Sequence, residues 1–507
     1  MLKLKISIIS FFAFICLSSC LHIKEQNTQP NIIVFLVDDM GLMDTSVPFV
    51  IDSVGNPIKY PLNDFYRTPN MEQLAEQGIR FANFYAHSVC SPSRVSIMTG
   101  QNSARHRVTN WIYSESNNYT EFGPRNWNWM GLTKESVTLP RLLQQAGYKT
   151  IHVGKAHFGP FNSEGENPLN IGFDTNIAGS SIGHPGSYYG QDGYGLLKGQ
   201  KERAVPGLEK YHGTETFLTE ALTHEAKDAI LSAKEEGKPF LLYMAHYAVH
   251  APFQNDIRFY EHYKDSDMPE KEKSFATLIE GIDKSLGDIV SYLKENELGE
   301  NTVILFLGDN GSDAPLPIVD GYSSSAPLRG KKGNHWEGGM RVPFIASWVT
   351  PNENNTWQKQ LPIAQNTIQE QLGTITDIFP TICKLTGVTY PTDYKTDGYS
   401  LQDQLTGLYN DKREEKFLNH FPHGEHRTSY FTSLVKANWK VIYHYQIDGQ
   451  PKYELYNLKD DPFEENDIAS INPDQLKIMM EAMADELKSK NTLYPEKDGA
   501  PLELIVP

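Results

Sequence analysis

Three short stretches carry the residue types that chemistry needs. Asp38-Asp39 and Asp309-Asn310 each close an apolar run, NIIVFLV at 31–37 and TVILFL at 302–307. If those runs lie side by side, three carboxylates meet and repel one another strongly unless a cation sits among them. A donor set made only of oxygen suits a hard ion such as Ca²⁺ or Mg²⁺. The third stretch is VCSPSRVSIMTG, from Val89 to Gly100. Pro92 suits the first turn of a helix and Gly100 its end, so Cys90 is expected just outside a helix N-terminus with Arg94 on the first turn. The helix start and the guanidinium together favour negative charge beside position 90. Further cations and imidazoles follow other strand candidates: Lys155 and His157 in GKAHFG, His250 in AHYAVHAPF, and Lys331-Lys332 in LRGKKGNHWEGGMRVP. Singly, each histidine reads as structural and each lysine as solvated. Their shared placement beside strand ends marks a site.

The elements that must position these groups alternate along the chain. Strand patterns fall at 31–37, 150–153, 240–244, 302–307 and 344–348, and helical patterns at 70–77, 138–146, 214–233, 270–294 and 376–385. This alternation predicts an α/β fold, a large and mostly parallel sheet sandwiched by helices, with ligands gathering beyond the carboxyl ends of the strands. Gly179 to Gly199 is expected to be a long loop over the site. From about Tyr390 the texture changes: 430–445 and 453–458 read as antiparallel strands joined by an Asp448-Gly449 turn, and 473–488 as a closing helix. The organisation expected is a catalytic domain at 30–389 and a C-terminal antiparallel-sheet α+β subdomain at 390–507, since 507 residues exceed what one core usually serves.

The N-terminus reads as an export signal over 1–19, with Lys3 and Lys5 before an apolar run shorter than the roughly 20 residues a membrane span needs. Leu17-Ser18-Ser19-Cys20 resembles a bacterial lipobox, which implies a lipid on Cys20 and a periplasmic or cell-surface location, with membrane attachment by that anchor only. Beyond the signal only Cys90 and Cys383 remain as thiols, so at most one disulfide forms. The net charge of -17 excludes a generally basic, nucleic-acid-binding surface. An anionic ligand then needs a local basic pocket.

Cys90-Ser91-Pro92-Ser93-Arg94, followed by Thr99-Gly100, matches the C-x-P-S-R maturation motif, and over nearly its whole length the chain resembles the type I sulfatases of the alkaline phosphatase superfamily. That resemblance implies an alkaline phosphatase-like fold and a formylglycine made from Cys90 by a formylglycine-generating or anaerobic sulfatase-maturing enzyme. It implies one Ca²⁺ held by Asp38, Asp39, Asp309, Asn310 and residue 90. Arg94, Lys155, His157, His250 and Lys332 take the positions that hold and process the sulfate. Lys332 is preferred to Lys331 because it lies five residues before Glu337-Gly338-Gly339. The substrate expected is a sulfated carbohydrate, with His106, Arg107, Asn110, Trp111, His184, Arg329 and His335, near the motif segments, as candidates for the sugar subsite. The alternatives are a phosphodiester or phosphonate monoester hydrolase of the same superfamily and an inactive glycan-binding homologue.

Overall fold

The computed structural model describes residues 29–316, 324–445 and 451–507. The export signal, Cys20 and the Asp448-Gly449 turn lie outside the described residues. Among those described, no helix is long and apolar enough to cross a membrane.

The central sheet has eight strands: β1 (Asn31–Val37), β2 (Ile79–Phe81), β3 (Lys149–Gly154), β4 (Thr175–Ile177), β5 (Phe240–Ala245), β6 (Thr302–Gly308), β7 (Phe344–Trp348) and β8 (Thr367–Gln369). Their spatial order is β4-β3-β5-β1-β6-β7-β2-β8. Neighbours pair in parallel except where β7 runs against β6 and β2. The inner strands are continuous apolar runs because helices cover both faces. In β1, Ile33, Phe35 and Val37 face one core with the helices Leu218–Glu236 and Glu270–Glu295. Ile32, Val34 and Leu36 face the other, with Cys90–Thr99, Leu139–Gln145 and Ile378–Thr386. The two-residue period of a strand thus feeds two hydrophobic layers from one segment.

Register sets the site. Val37 pairs with Gly308, Leu36 with Ala245, and Gly154 with Ala245, so β1, β6, β5 and β3 end level with one another. Asp38, Asp309 and Lys155 are the next residues along their chains. They therefore emerge in a row at the carboxyl edge of the sheet.

A second sheet is wholly antiparallel: β9 (Lys416–Phe421), β10 (Phe431–Lys436), β11 (Trp439–His444) and β12 (Tyr453–Asn457), with the helix Pro473–Lys490 packed on it. The 430–445 stretch is a hairpin turning at Ala437, whose φ is 50°. β9 is absent from the sequence reading. The helix expected at 214–233 runs instead from Leu218 to Glu236, because Thr214 to Phe217 are held by other bonds: the Thr216 carbonyl accepts from Gly190 and from the Tyr194 hydroxyl. Gly179 to Gly199 contains a 3₁₀ segment, Gly190–Lys198, and is braced by Tyr188.

Candidate active site

After β1 the chain turns sharply. Asp39 adopts φ 60°, a left-handed geometry that a short polar side chain tolerates, and its backbone N–H donates to Asp309 Oδ1 at 3.0 Å. After β3, Gly154 (φ +96°) brings its Cα so close to strand β5 that a Cβ would stand 1.9 Å from the Ala245 carbonyl oxygen. Only glycine fits there, and it delivers Lys155, whose N–H donates to that same carbonyl at 2.7 Å. The helix Cys90–Thr99 begins at Cys90 itself, with extended Val89 as its cap and left-handed Gly100 closing it. The cysteine is therefore the first helical residue and not, as expected, just outside the terminus. Every residue of this helix is buried.

These segments build one ionic lattice. Arg94, completely buried, donates from Nε to Asp309 Oδ2 (2.9 Å) and from Nη1 to the Lys155 carbonyl (2.8 Å), while Nη2 lies 3.5 Å from Asp38 Oδ1. Lys155 Nζ grips both oxygens of Asp38 at 2.9 and 2.7 Å. Lys332 Nζ grips Asp39 at 2.6 and 2.7 Å. His250 Nε2 stands 3.5 Å from Asp39 Oδ2. Lys331, the alternative lysine, turns away, to the Ala314 carbonyl (3.0 Å) and Asp313 (3.4 Å).

Protonation follows from burial and neighbours. Burial pushes the Asp38 carboxyl well up, against the pull of Lys155. Burial acts the same way on Asp39, but His250 and Lys332 outweigh it and hold that carboxyl far below the usual range. Burial would lower Arg94 and Lys332, and the carboxylates beside them raise both instead. Burial pushes His157 and His250 well below the ordinary imidazole value, helped by the lysines, with Asp39 opposing at His250. Burial also pushes the Cys90 thiol up, so as a thiol it is a weak nucleophile.

The two imidazoles are oriented in opposite senses. His157 Nε2 lies 2.6 Å from the Ile112 carbonyl, which can only accept, so Nε2 carries the proton. Its Nδ1 lone pair then faces Cys90 Sγ at 3.4 Å. In His250 it is Nδ1 that donates to a carbonyl, that of Ala251 at 3.0 Å, which leaves Nε2 toward the lattice. One ring thus presents a base to residue 90, and the other presents Nε2 beside Lys332.

Carboxylate oxygens of Asp38, Asp39 and Asp309 lie within 4.8 Å of one another. Asn310 Nδ2 donates to Asp39 and to the Gly311 carbonyl, while its Oδ1 is buried with no hydrogen-bond partner. A buried acceptor without a donor, beside three converging carboxylates, fits an oxygen-coordinated cation.

Residues 30–388 match the family model described as Sulfatase, and residues 332–492 match N-sulphoglucosamine sulphohydrolase, C-terminal. The chain belongs to the sulfatase family. It is 30% identical to the N-acetylgalactosamine-6-sulfatase of Canis lupus familiaris, over 75% of this chain and 66% of that one, and 26% identical to arylsulfatase J of Mus musculus, over 93% and 78%. Its fold is similar to the crystal structure of Ps i-CgsB in complex with k-i-k-neocarrahexaose, with a TM-score of 0.71 at 24% identity, covering 94% of this chain and 95% of that one. The protein is a sulfuric ester hydrolase with the alkaline phosphatase-like architecture.

Around this sulfatase site the sugar-subsite candidates divide. His184, half-buried, stacks on His250 with ring centroids 5.4 Å apart. Trp111, also half-buried, lies against His426 at 4.8 Å, and Asn110 donates to Glu425 at 3.0 Å. His106 is brought elsewhere, its Nε2 3.1 Å from Ser96 Oγ and its Nδ1 accepting from the Val108 N–H. Arg107 reaches the Asn491 carbonyl. Arg329 stacks over Trp336 at 4.0 Å and donates to the Tyr456 hydroxyl and the Glu464 carbonyl. His335 is buried beside Glu454. Sequence reasoning missed Glu425, His426 and Arg427, a turn of the C-terminal unit that closes over Lys332: the His426 carbonyl sits where a Cβ on Gly333 would be only 2.3 Å away, and Arg427 pairs with Asp313 at 2.9 Å. No motif spacing links position 426 to position 90. Only its proximity to Trp111 and Lys332 in the fold reveals it.

Proposed function

We propose that this sulfatase removes sulfate from carbohydrates, through a formylglycine at position 90 and one Ca²⁺ held by Asp38, Asp39, Asp309, Asn310 and residue 90. The observation that carries this reading is the Nδ1 lone pair of His157, 3.4 Å from the residue-90 side chain at the start of a buried helix, with Lys155 and Lys332 beside it. A hydrated formylglycine there supplies one hydroxyl to attack sulfur and a second whose deprotonation expels sulfate. Bound Ca²⁺ supplies Lewis-acid stabilisation of a sulfuryl oxygen.

The chain's own residues do the rest. Lys155 and Lys332 neutralise charge on the sulfuryl oxygens. Arg94 locks Asp38, Asp309 and the Lys155 backbone into one frame. His157 Nδ1 accepts a proton from the residue-90 hydroxyl, and its Nε2–H on the Ile112 carbonyl fixes that tautomer. His250 Nε2 delivers a proton to the departing sugar oxygen. The anionic ester, arriving beside that ring, adds the negative charge that raises its proton affinity.

The carbohydrate class is supported by the N-acetylgalactosamine-6-sulfatase relatives and by the neocarrahexaose-bound neighbour. Trp111, His184 and His426 offer the stacking faces such a substrate uses. The same reading assigns catalysis to residues 30–389, completion of the pocket to 390–507, and an exported enzyme tethered through lipid on Cys20.

Mass analysis of the peptide containing position 90 tests the nucleophile, and the expected result is loss of the thiol to an aldehyde. Cys90→Ser should at best accumulate a covalent sulfo-enzyme, so steady turnover by that variant defeats the mechanism. Paired aryl sulfate, phosphodiester and phosphonate monoester substrates test the ester class. A rate ratio favouring the phosphorus esters assigns the site to them, and no turnover of any ester with retained glycan binding makes the protein a binding homologue.

A further inference from the structure

Away from the carboxylate lattice, a second set of donor atoms converges where the C-terminal sheet meets the Lys332 segment. One donor atom from each of His335, His444 and Glu454 lies within 4.8 Å of the other two, and all three residues are more than nine-tenths buried. His444 Nε2 is 2.7 Å from Glu454 Oε1. His335 Nε2 stands 3.5 Å from the same oxygen and has no hydrogen-bond partner in the protein. A network of protein hydrogen bonds alone leaves that buried nitrogen orphaned, which is costly.

The surroundings prepare these atoms as ligands. His335 Nδ1 lies 3.1 Å from Thr428 Oγ1, and His444 Nδ1 lies 3.4 Å from Ser429 Oγ. Each hydroxyl oxygen can accept an Nδ1 proton; His444 Nε2, 2.7 Å from Glu454 Oε1, donates to that carboxylate in the metal-free protein and gives up its proton when an ion binds. Hydrogen bonding of the far ring nitrogen is how metal-ligating histidines are oriented. The carboxylate is held as well, because Glu454 Oε2 accepts from the Tyr456 hydroxyl (2.5 Å) and from Trp336 Nε1 (3.2 Å), leaving Oε1 to the two rings.

We propose that His335, His444 and Glu454 form a second metal site that takes a borderline transition ion of the zinc class. Two imidazoles and one carboxylate suit that class, whereas Asp38, Asp39 and Asp309 offer only oxygen to a hard ion. The ligands come from the segment three residues past Lys332, from the end of β11 and from β12, and the orienting hydroxyls follow His426 and Arg427. The ion therefore clamps the antiparallel sheet to the segment bearing Lys332 and fixes the turn that closes the sulfate pocket.

The test uses the full chain with Cys90→Ala, which removes the one thiol facing the carboxylate lattice, stripped of transition metals and kept in Ca²⁺. Co²⁺ titration should reveal one equivalent with visible ligand-field absorption, displaced by Zn²⁺, and Zn²⁺ should raise Tm. Glu454→Gln and His335→Asn should weaken Co²⁺ binding about 10- to 100-fold, while Asp309→Ala leaves it unchanged. X-ray absorption at the zinc edge of the Cys90→Ala protein should show two imidazole ligands, a readout that stands even if the ligand variants misfold. The proposal falls if that protein gains neither a ligand-field band nor a zinc-dependent Tm, which leaves a plain His–Glu hydrogen-bond network. It falls equally if Co²⁺ binding survives in folded Glu454→Gln and His335→Asn, or if the zinc-edge spectrum lacks imidazole scattering.

Discussion

Replacing His250 with alanine separates chemistry from packing. In the proposed mechanism the ring contributes a proton from Nε2, and its backbone is held independently: the Tyr188 hydroxyl shares its proton between the His250 carbonyl (2.7 Å) and the Tyr247 carbonyl (2.8 Å). Truncation therefore leaves the loop in place. The side chain is 17% exposed, so water can fill the space, and the packing lost is the stack on His184. A change of that kind costs about 1 kcal/mol or less, a Tm shift of only a few degrees. General acid catalysis is worth about 10²- to 10⁴-fold, or about 3 to 5.5 kcal/mol of barrier. A sugar alkoxide needs that proton and a nitrophenolate does not. kcat/KM for His250→Ala should fall by about 10²- to 10⁴-fold on a sulfated sugar and by less than about tenfold on an aryl sulfate. Burial and the lysines hold His250 below its ordinary range in the free enzyme, so its protonated fraction shrinks as pH rises through that lowered value. The wild-type kcat/KM on the sugar ester should decline along that limb, and the variant should lack it. Equal losses on both esters together with a large drop in Tm would remove His250 from the mechanism.

Asp309→Ala takes a carboxylate from the cation cluster and both of its own contacts from Arg94, which keeps only Asp38 as an ion-pair partner, so Ca²⁺ content by elemental analysis and activity should vanish together. Full activity after thorough metal depletion contradicts the assignment. Lys332→Ala removes the partner of buried Asp39 and should lower kcat/KM by at least about 10²-fold, whereas Lys331→Ala, whose amine reaches only Ala314 and Asp313, should stay within about threefold. The reverse order exchanges the two lysines. Acid should destabilise the fold below pH 6.5. Burial lowers His87 and His420 to about 4 and His152 and His246 to about 3, so the unfolded chain binds protons there that the folded chain refuses. Their stabilisation is complete above the unfolded value of 6.5 and is lost as pH falls, at about 1.4 kcal/mol per pH unit for each ring. Melting curves from pH 7 to pH 4 that do not shift downward refute this.

The parts of the fold legible in the sequence are those whose burial is symmetric. β1 and β6 have helices on both faces, so they read as unbroken apolar runs, and their parallel register carries Asp38 and Asp309 to one edge. β9 was illegible for the opposite reason. KFLNHF places Asn419 and His420 in its interior, which suggests a loop, yet both are satisfied by partners far away in sequence: Asn419 by His87 and Ser88, His420 by Thr432 and the Leu493 carbonyl. A polar residue reads as buried only when its partner is known, and the partner belongs to the fold.

The same distinction divides the site. Arg94, Lys155 and Lys332 each sit beside a strand end or a glycine-rich motif, so local sequence locates them, and the sheet register then converts separate motifs into salt bridges of 2.6 to 2.9 Å. The rim follows no such rule. Asn110, Trp111 and Lys332 are completed by Glu425, His426 and Arg427 from a different unit, and those contacts exist only because the C-terminal sheet is docked where β11 and β12 meet the Lys332 segment. In the proposed reading, charge neutralisation at sulfur is thus encoded in short motifs along the main sheet, while the rim offered to the sugar depends on how the second sheet is held against it. Changes at that docking seam should therefore move KM between glycans before they move kcat on a small aryl sulfate, since Arg94, Lys155 and the carboxylates around position 90 are anchored by the main sheet and Lys332 alone of that lattice borders the seam.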